Sequence, residues 1–242
     1  MSDPVLVILV FLIASIVHGV AGFGAGLVAM SLLVLKWPVT EAIAVCSVCT
    51  WLLNGWMAYR LWAEIDWSEL RPMVTATLLG VPIGVTLLHS LPERWIIGGL
   101  GCVLIVHSVR SLRQGEGQRT AVASGWGYVA GALGGLLGGA FNTSGPPVVM
   151  YGTARCWAKD RFRATLQIYF LVTGTLAIAL YVATGVVNQT SLGWTLLGIP
   201  VMVAGAGIGQ VTASRISPEL FRKLVLIGLA LMGMNFIRRT LM

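Results

Sequence analysis

The chain has 242 residues, of which 57% are hydrophobic and only 10% are charged, and its mean hydropathy is +0.86. This composition excludes a soluble domain with an ordinary charged surface. The net charge of +7 does not indicate a nucleic-acid partner, because the basic residues are spread over short loops, as membrane topology and anionic lipid head groups demand. The sequence therefore predicts a polytopic membrane protein.

Eight apolar segments use nearly the whole chain. They lie at about 5–35, 40–59, 70–88, 95–112, 125–152, 164–184, 192–212 and 220–237. Most contain the roughly 20 residues that a hydrocarbon core of about 30 Å requires of a helix. We therefore predict an all-α membrane protein without a soluble domain. No nucleotide-binding motif occurs in the sequence, so an ATP-driven pump would need a separate subunit.

The first segment begins with MSDPVLVILVFLIAS and continues directly into HGVAGFGAG. Because it has no basic n-region, we expect a mature membrane segment and not a cleaved signal peptide. In the second segment Cys46 and Cys49 form a CxxC motif, but neither a second pair nor a nearby His accompanies them. We interpret both as small packing residues, and the sequence predicts neither a metal site nor any other cofactor.

The two halves of the chain resemble each other. VHGVAGFGAGLVAM (17–30) matches VAGALGGLLGGAFN (129–142) in its glycine spacing. LLGVPIGVTLLHSLPERW (78–95) matches VAGAGIGQVTASRISPELF (203–221) with one residue inserted. The pattern predicts two homologous units of four segments each.

These units are the predicted membrane repeats, residues 1–113 and residues 124–242. The polar stretch between them, 114–123, is the predicted linker.

The fifth segment contains WGYVAGALGGLLGGAFNTSGPPVVMYGTAR, residues 126–155. This stretch is too apolar for a loop and too rich in Gly and Pro for one uninterrupted helix. Irregular backbone at membrane depth survives only when it is buried in protein or lines a polar cavity. We predict a second half-helix that begins at Pro146 and Pro147 and is capped by Thr143 or Ser144. The N-terminus of such a half-helix favours an anion, so this break is the predicted binding site.

The break offers an amide, two hydroxyls and a bare backbone, which together suit a tetrahedral or pyramidal oxyanion. The residues concerned are Asn142, Thr143, Ser144 and Gly145. A simpler interpretation is a polar cap that only satisfies the broken helix.

Repeat symmetry predicts an opposing break in the first segment, where glycine permits a positive φ and close approach of the backbone to a ligand. The residues concerned are Gly22, Phe23, Gly24 and Gly26. Pure helix packing is the alternative interpretation.

Other polar side chains of the apolar segments are candidates for the same cavity. His18 lies beside the first break and His107 lies within the fourth segment; each is a candidate for proton coupling, because His changes charge near physiological pH. A neutral His bonded to a backbone carbonyl is the alternative. Asn54 on the second segment, and Gln167 and Tyr169 on the sixth, are further candidate substrate contacts.

The distribution of Lys and Arg tests whether the repeats are parallel or inverted. If all eight segments cross the membrane, 7 of the 16 basic residues lie on one side and 9 on the other. If segments 1 and 5 are re-entrant hairpins, the split becomes 12 to 4. We therefore favour inverted repeats with broken segments 1 and 5, a cytoplasmic linker and 155–163 loop, and both termini outside. We interpret four basic residues as orientation charges on the cytoplasmic rim, where they can also concentrate anions: Arg155, Lys159, Arg161 and Arg163.

The motifs around the two breaks resemble a known family. GGLLGGAFNTSGPPVVMYGTAR followed by DRFRATLQIYFLVTG, together with HGVAGFGAGLVAMSLLVL in the first half, is similar to the TauE/SafE sulfite exporter family of bacterial membrane transporters. The resemblance covers essentially the full length. It implies a multi-pass protein of the bacterial inner membrane that moves small sulfur-containing anions such as sulfite and sulfonates. One departure is Met30-Ser31, which stands where the resemblance leads us to expect a proline.

The predicted function is secondary transport of a small sulfur-containing or organic anion. The anion is expected between the half-helix N-termini of the two broken segments, with alternating access and with proton coupling as an option. A passive anion channel is an alternative. An intramembrane enzyme with Ser144 as nucleophile and a histidine as base is a weaker one, since no His stands at a spacing that marks a catalytic pair.

Overall fold

The computed structural model of the chain describes residues 4–33, 36–88, 101–102, 105–106, 108–110, 112–113 and 122–241. Its helices, numbered in chain order, are α1 (Pro4–Ala21), α2 (Ala25–Leu33), α3 (Val39–Arg60), α4 (Trp67–Leu88), α5 (Trp126–Phe141), α6 (Gly145–Ala154), α7 (Lys159–Ala183), α8 (Gln189–Ser214) and α9 (Pro218–Leu241). A 3-10 turn at Trp62–Glu64 joins α3 to α4, and short helical pieces lie within residues 101–113. The described residues contain no strand, so the predicted all-α class is confirmed.

Among the described residues, six helices are long and apolar enough to cross a membrane. They are Pro4–Ala21, Thr40–Arg60, Trp67–Leu87, Lys159–Ala183, Ser191–Ser214 and Glu219–Arg238. Large apolar side chains on their outer faces are exposed; Leu79 and Leu196, for example, are both 73% exposed. Such faces suit hydrocarbon as the surrounding solvent. The prediction of a multi-pass membrane protein is confirmed. The fourth predicted segment and the linker lie mostly outside the described residues.

Segments 1 and 5 are both broken. The first break separates Ala21 from Ala25, and the second separates Phe141 from Gly145. Each preceding helix ends in left-handed backbone, at Gly22 with φ of 81° and at Asn142 with φ of 51°. Glycine adopts this conformation without penalty, and asparagine adopts it at a lower cost than most residues. The residue types at the breaks therefore match the backbone that the breaks require.

Close packing between α4 and α5 depends on glycines. Gly131, Gly135 and Gly139 are spaced four residues apart on α5, and a Cβ atom on any of them would meet the backbone of α4. Their neighbours advance along α4 in the same order, at Met73, Thr77 and Val81. The two helices therefore run in the same direction, with their backbones in contact.

A second close pair is formed by α1 and α8. Gly198 lies against Phe11, and Gly209 lies against Gly19, so these helices also run in the same direction. These two pairs are the most extensive helix contacts among the described residues. Each joins the broken segment of one half to the third segment of the other half, so the halves are interlocked.

α5 and α6 form a hairpin whose ends lie side by side. The Val122 N–H donates to the Ala154 carbonyl oxygen at 3.4 Å, and the Tyr151 hydroxyl donates to the Ser124 carbonyl oxygen at 3.1 Å. The C-terminal end of α6 thus returns to the N-terminal end of α5. The hairpin enters and leaves at one end of the helix bundle, and its tip is the break at residues 142–144.

Ion pairs hold this end of the bundle together. Arg155 donates through Nε to Glu69 Oε1 at 3.0 Å, and Arg161 pairs with Asp66. Lys159 donates to carbonyl oxygens at the C-terminal end of α8. These rim charges are thus engaged within the protein. We call this the ion-pair end, and it contains residues 61–69, 122–125, 155–161 and 213–216.

α1 and α2 form a second hairpin, which enters from the opposite end. α1 follows α8 toward the ion-pair end, as the glycine contacts show. Trp37, which follows α2, lies against Trp194 near the start of α8, with 5.6 Å between the ring centroids. α2 therefore returns to the end from which α1 came. The two hairpins approach each other from opposite ends of the bundle.

The direction of α3 and α7 completes the arrangement. Trp51 Nε1 donates to Thr175 Oγ1 at 2.8 Å, and beyond the end of α3 the Asp66 N–H donates to Thr165 Oγ1 at 3.1 Å. Contacts closer to the C-terminal end of α3 thus involve residues closer to the N-terminal end of α7. These helices, which are segments 2 and 6, are antiparallel.

The structure corrects the alignment of the first and fifth segments. Glycine spacing pairs residues 17–30 with 129–142, which would place Gly22 opposite Gly134. In the structure Gly22 donates to the His18 carbonyl oxygen (2.6 Å) and Asn142 donates to the Gly138 carbonyl oxygen (3.0 Å), so Gly22 corresponds to Asn142. The predicted position of the first break is right, but the pairing is wrong by eight residues.

Candidate functional site

The tips of the two hairpins meet at a cavity. Its volume is about 50 Å³, and a water needs roughly 10–15 Å³, so the cavity has room for about four water-sized groups. Gly26 is in close contact with the other break, because a Cβ atom there would lie 2.6 Å from the Asn142 carbonyl oxygen. A side chain at position 26 would push the two breaks apart.

Most of the predicted site residues line this cavity. They are His18, Gly24, Gly26, Asn54, Asn142, Thr143, Ser144 and Gly145. Their side-chain or backbone atoms come from both hairpins and from α3. The structure thus brings together residues that are far apart in the sequence, and whether they contact substrate stays a prediction.

Four predicted residues do not line the cavity. Gly22 lies behind it, against Arg163, and Phe23 is buried in the core against Phe162. Gln167 supports the first break from α7. Tyr169 is fully buried, where its hydroxyl donates to the Gly131 carbonyl oxygen at 3.1 Å. His107 lies outside the described residues.

The expected side-chain cap of α6 is absent. Ser144 occupies the N-cap position with right-handed helical backbone, φ −72° and ψ −14°, and its side chain makes no capping hydrogen bond. The Thr143 hydroxyl donates instead to the Phe141 carbonyl oxygen at 2.9 Å. The Ser144 hydroxyl lines the cavity and has no hydrogen-bond partner within the described part of the chain. It is therefore available to a ligand.

Backbone N–H groups of both half-helices face the same region. At the start of α2, those of Gly26 and Leu27 have no partner among the described residues. At the start of α6 the same is true of Ser144 and Gly145, while the two prolines that follow have no N–H. The first N–H groups of a helix have no partner within the helix, and the helix dipole makes this end positive. Two such ends converge on one cavity.

Two buried amide atoms at the cavity also have no partner in the described residues. They are Asn142 Nδ2 and Asn54 Oδ1. An unpaired amide atom in a buried site costs roughly 1–3 kcal/mol, so it marks a place where a ligand or water bonds. None of the described residues that line the cavity is Asp, Glu, Lys or Arg. The described lining thus offers several hydrogen-bond donors, and an acceptor at Asn54, without a fixed negative charge.

His18 is held by both ring nitrogens. Gln167 Nε2 donates to the Gly22 carbonyl oxygen at 2.8 Å, which leaves Gln167 Oε1 to accept from His18 Nε2 at 3.0 Å. His18 Nδ1 then accepts from the Ala25 N–H at 3.4 Å. The neutral ring with its proton on Nε2 satisfies both contacts. A second proton, on Nδ1, would displace the Ala25 N–H at the start of α2.

α7 satisfies the carbonyl oxygens that the two breaks expose. Arg163 Nη2 donates to the Gly19 carbonyl oxygen at 2.7 Å, one helical turn from the Gln167 contact with Gly22. At the second break the Tyr181 hydroxyl donates to the Gly139 carbonyl oxygen at 2.6 Å. The C-terminal ends of α1 and α5 are therefore covered, while the N-terminal ends of α2 and α6 stay open to the cavity. The structure corrects the rim interpretation of Arg163, which is only 5% exposed.

Sequence reasoning missed part of the lining. The missed residues are Ala25, Leu27, Thr50, Trp51, Gly138, Phe170, Thr173, Gly174 and Ala177. Those on α3 and α7 recur at intervals of three or four residues from positions that were identified. The spacing 167, 170, 174 and 177 on α7 marks one helical face, and this signal was present in the sequence.

The fold and the site define a multi-pass membrane protein with two helical hairpins whose tips enclose a small polar cavity. The profile of the sulfite exporter TauE/SafE family matches residues 7–236. The chain therefore belongs to this family of membrane transporters, which confirms the resemblance and the expected location in the bacterial inner membrane.

Two relatives cover most of the chain. It is 27% identical over 187 residues to “Probable inner membrane transporter protein TsaS” of Comamonas testosteroni, with 76% of each chain covered. It is 26% identical over 219 residues to “Probable sulfite/organosulfonate exporter TauE” of Cupriavidus necator, with 87% of this chain and 85% of that one covered. No solved structure matches the chain significantly.

Proposed function

We propose that this protein is a secondary transporter that binds a small sulfur-containing or organic anion between the N-termini of α2 and α6. The observation that carries the proposal is the convergence of two positive helix ends, whose first N–H groups lack partners among the described residues, on one cavity whose described lining has no carboxylate. The name of the Cupriavidus relative refers to sulfite and organosulfonates, which supports this class of substrate. The cavity volume suits an anion of four or five non-hydrogen atoms.

Inverted repeats, residues 1–113 and 124–242, supply the alternating access. If all eight segments crossed the membrane, segments 2 and 6 would be parallel, whereas α3 and α7 are antiparallel. The same model would place Glu69 and Arg155 on opposite faces, about 30 Å apart, yet they form an ion pair. Both contacts support a re-entrant fifth segment, and the return of α2 to the end from which α1 came supports a re-entrant first segment. On the 12 to 4 charge split, the ion-pair end is cytoplasmic.

Labelling of cysteines tests this topology. Cys156 is exposed at the ion-pair end, and Arg113→Cys adds a label at the start of the linker. With Cys102, the other exposed cysteine of the described residues, replaced by serine, we expect a membrane-impermeant maleimide to modify both sites only in inside-out vesicles. Reaction of the two sites on opposite membrane faces would rule out the re-entrant arrangement.

An enzymatic role for Ser144 has less support. Its hydroxyl and His18 line the same cavity, but both ring nitrogens of His18 are occupied by Gln167 and Ala25. A general base needs a nitrogen free to accept the serine proton. The described residues offer Ser144 as a donor to a bound anion and not as an activated nucleophile.

Substitution of Ser144 tests the anion site. Removing one donor to a charged ligand costs roughly 1.5–3 kcal/mol, so Ser144→Ala should weaken sulfite binding at least about tenfold. Because Ser144 makes no capping bond, the thermal stability of the Ser144→Ala protein should stay close to that of the wild type. Ser144→Asp places a negative charge at the anion site and should nearly eliminate binding. The measurement is concentration-dependent uptake of labelled sulfite and sulfoacetate into sealed proteoliposomes.

Ser214→Ala is the matched control, since Ser214 is an exposed serine at the end of α8. A folded Ser144→Asp protein that still transports the anion normally would show that the ligand binds elsewhere. Accumulation against a concentration gradient distinguishes the carrier from a passive channel, which only equilibrates the anion.

We further propose that His18 carries the coupled proton, because its second protonation would release the first N–H group of α2. His18→Gln should abolish the response of uptake to an imposed proton gradient, while binding of the anion remains measurable. The assay compares uptake with and without a gradient in the same proteoliposomes. Unchanged proton-driven uptake would show that His18 has only a structural role, as a contact between α1, α2 and α7.

A further inference from the structure

Arg163 is a buried cation with incomplete partners. One guanidinium nitrogen donates to the Gly19 carbonyl oxygen, but Nε is buried without a hydrogen-bond partner in the described residues. The carboxylate of Asp160 lies 4.0 Å from Nη1, and its side chain is 62% exposed, so water and salt screen it. A buried charge without a buried counter-charge is costly. A structural cap for one carbonyl does not require a full charge, as Tyr181 demonstrates at the second break.

Its position relates this charge to the cavity. Arg163, Gln167 and Phe170 lie on one face of α7; Phe170 lines the cavity, and Gln167 bonds to His18, which also lines it. The stem of Arg163 packs against Gly22, where a Cβ atom would lie 2.8 Å from Cγ. Glycine at position 22, which its positive φ favours, thus also makes room for the arginine.

The two breaks differ in electrostatics. The C-terminal end of a helix carries about half a negative charge, which would repel an anion in the cavity. At the second break a neutral hydroxyl, that of Tyr181, covers this end. At the first break Arg163 covers it with a full positive charge, which exceeds what the helix end requires. The excess positive potential extends into a cavity whose described lining contains no Lys or Arg.

We propose that Arg163 sets the charge preference of the cavity, so that doubly charged oxyanions bind more tightly than singly charged ones of the same size. This inference rests on the proposed anion site. Arg163 acts through the electrostatic potential and through the end of α1, so it is a positioning residue and not a direct ligand. At a separation on the order of 10 Å, a buried charge changes the affinity about tenfold per unit charge of the ligand.

Sulfate and methanesulfonate provide a matched pair of probes. Both have a tetrahedral sulfur and five non-hydrogen atoms, but at pH 7.5 sulfate carries two charges and methanesulfonate carries one. Their dissociation constants for the purified full-length protein are measured by isothermal titration calorimetry. The wild type should bind sulfate at least about tenfold more tightly than methanesulfonate.

Arg163→Met removes the charge and keeps an unbranched side chain. It should weaken methanesulfonate binding about tenfold and sulfate binding about a hundredfold, so that the ratio of the two constants falls about tenfold. Arg163→Lys retains the charge and should retain the ratio, even if both affinities decrease. Asp160→Asn is the control on the exposed side; it should change the ratio less than about twofold because Asp160 is screened by solvent.

The outcomes separate the possible failures. An equal loss of both affinities in a folded Arg163→Met protein would show that Arg163 is only a structural cap and would overturn the inference while leaving the anion site intact. If that variant does not fold, the dissociation constants of the wild type still test the inference, because tighter binding of methanesulfonate than of sulfate would also overturn the inference. Failure of the wild type to bind sulfite or either probe would overturn both the inference and the proposed function.

Discussion

The structure depends on how the backbone groups at two helix breaks are satisfied within a membrane. Each break exposes carbonyl oxygens on one side and N–H groups on the other, and each unpaired group costs several kcal/mol in hydrocarbon. α7 supplies donors to the carbonyl side of both breaks, through Arg163 and Gln167 at the first and through Tyr181 at the second. On the N–H side His18 accepts from Ala25 at the first break, and the other N–H groups at the starts of α2 and α6 have no partner among the described residues. We infer that this one-sided satisfaction favours an anion in the cavity.

Glycines make the arrangement possible in two separate ways. Along α5 they allow its backbone to contact α4, which fixes the second hairpin in the bundle, and Gly26 allows the first hairpin tip to touch the second. The interlocked pairs, α4 with α5 and α1 with α8, tie each hairpin to the opposite half of the chain. Movement of one hairpin would therefore change the cavity that both enclose, which is what the proposed alternating access needs.

Much of this architecture was predictable from composition, because apolar segments interrupted by Gly, Asn and Pro have few possible structures in a membrane. The register of the repeats was not predictable from the sequence. The glycines of residues 129–142 allow packing against α4, whereas those near Gly22 form the break. The predicted cap by Thr143 or Ser144 was also wrong: an N-cap normally has extended backbone, whereas Ser144 is helical, and the Thr143 hydroxyl bonds back to Phe141. The sequence predicts a rim charge at Arg163, because nothing local in the sequence shows that α7 turns this residue toward α1.

We expect the anion to bind where the N-termini of α2 and α6 converge. Selenate has the shape and charge of sulfate, and its selenium scatters X-rays anomalously, so a crystal of the protein soaked in selenate locates the anion directly. We predict an anomalous peak within hydrogen-bonding distance of the Ser144 hydroxyl, between the starts of α2 and α6. A peak found only at the ion-pair end, outside the hairpin tips, would contradict it.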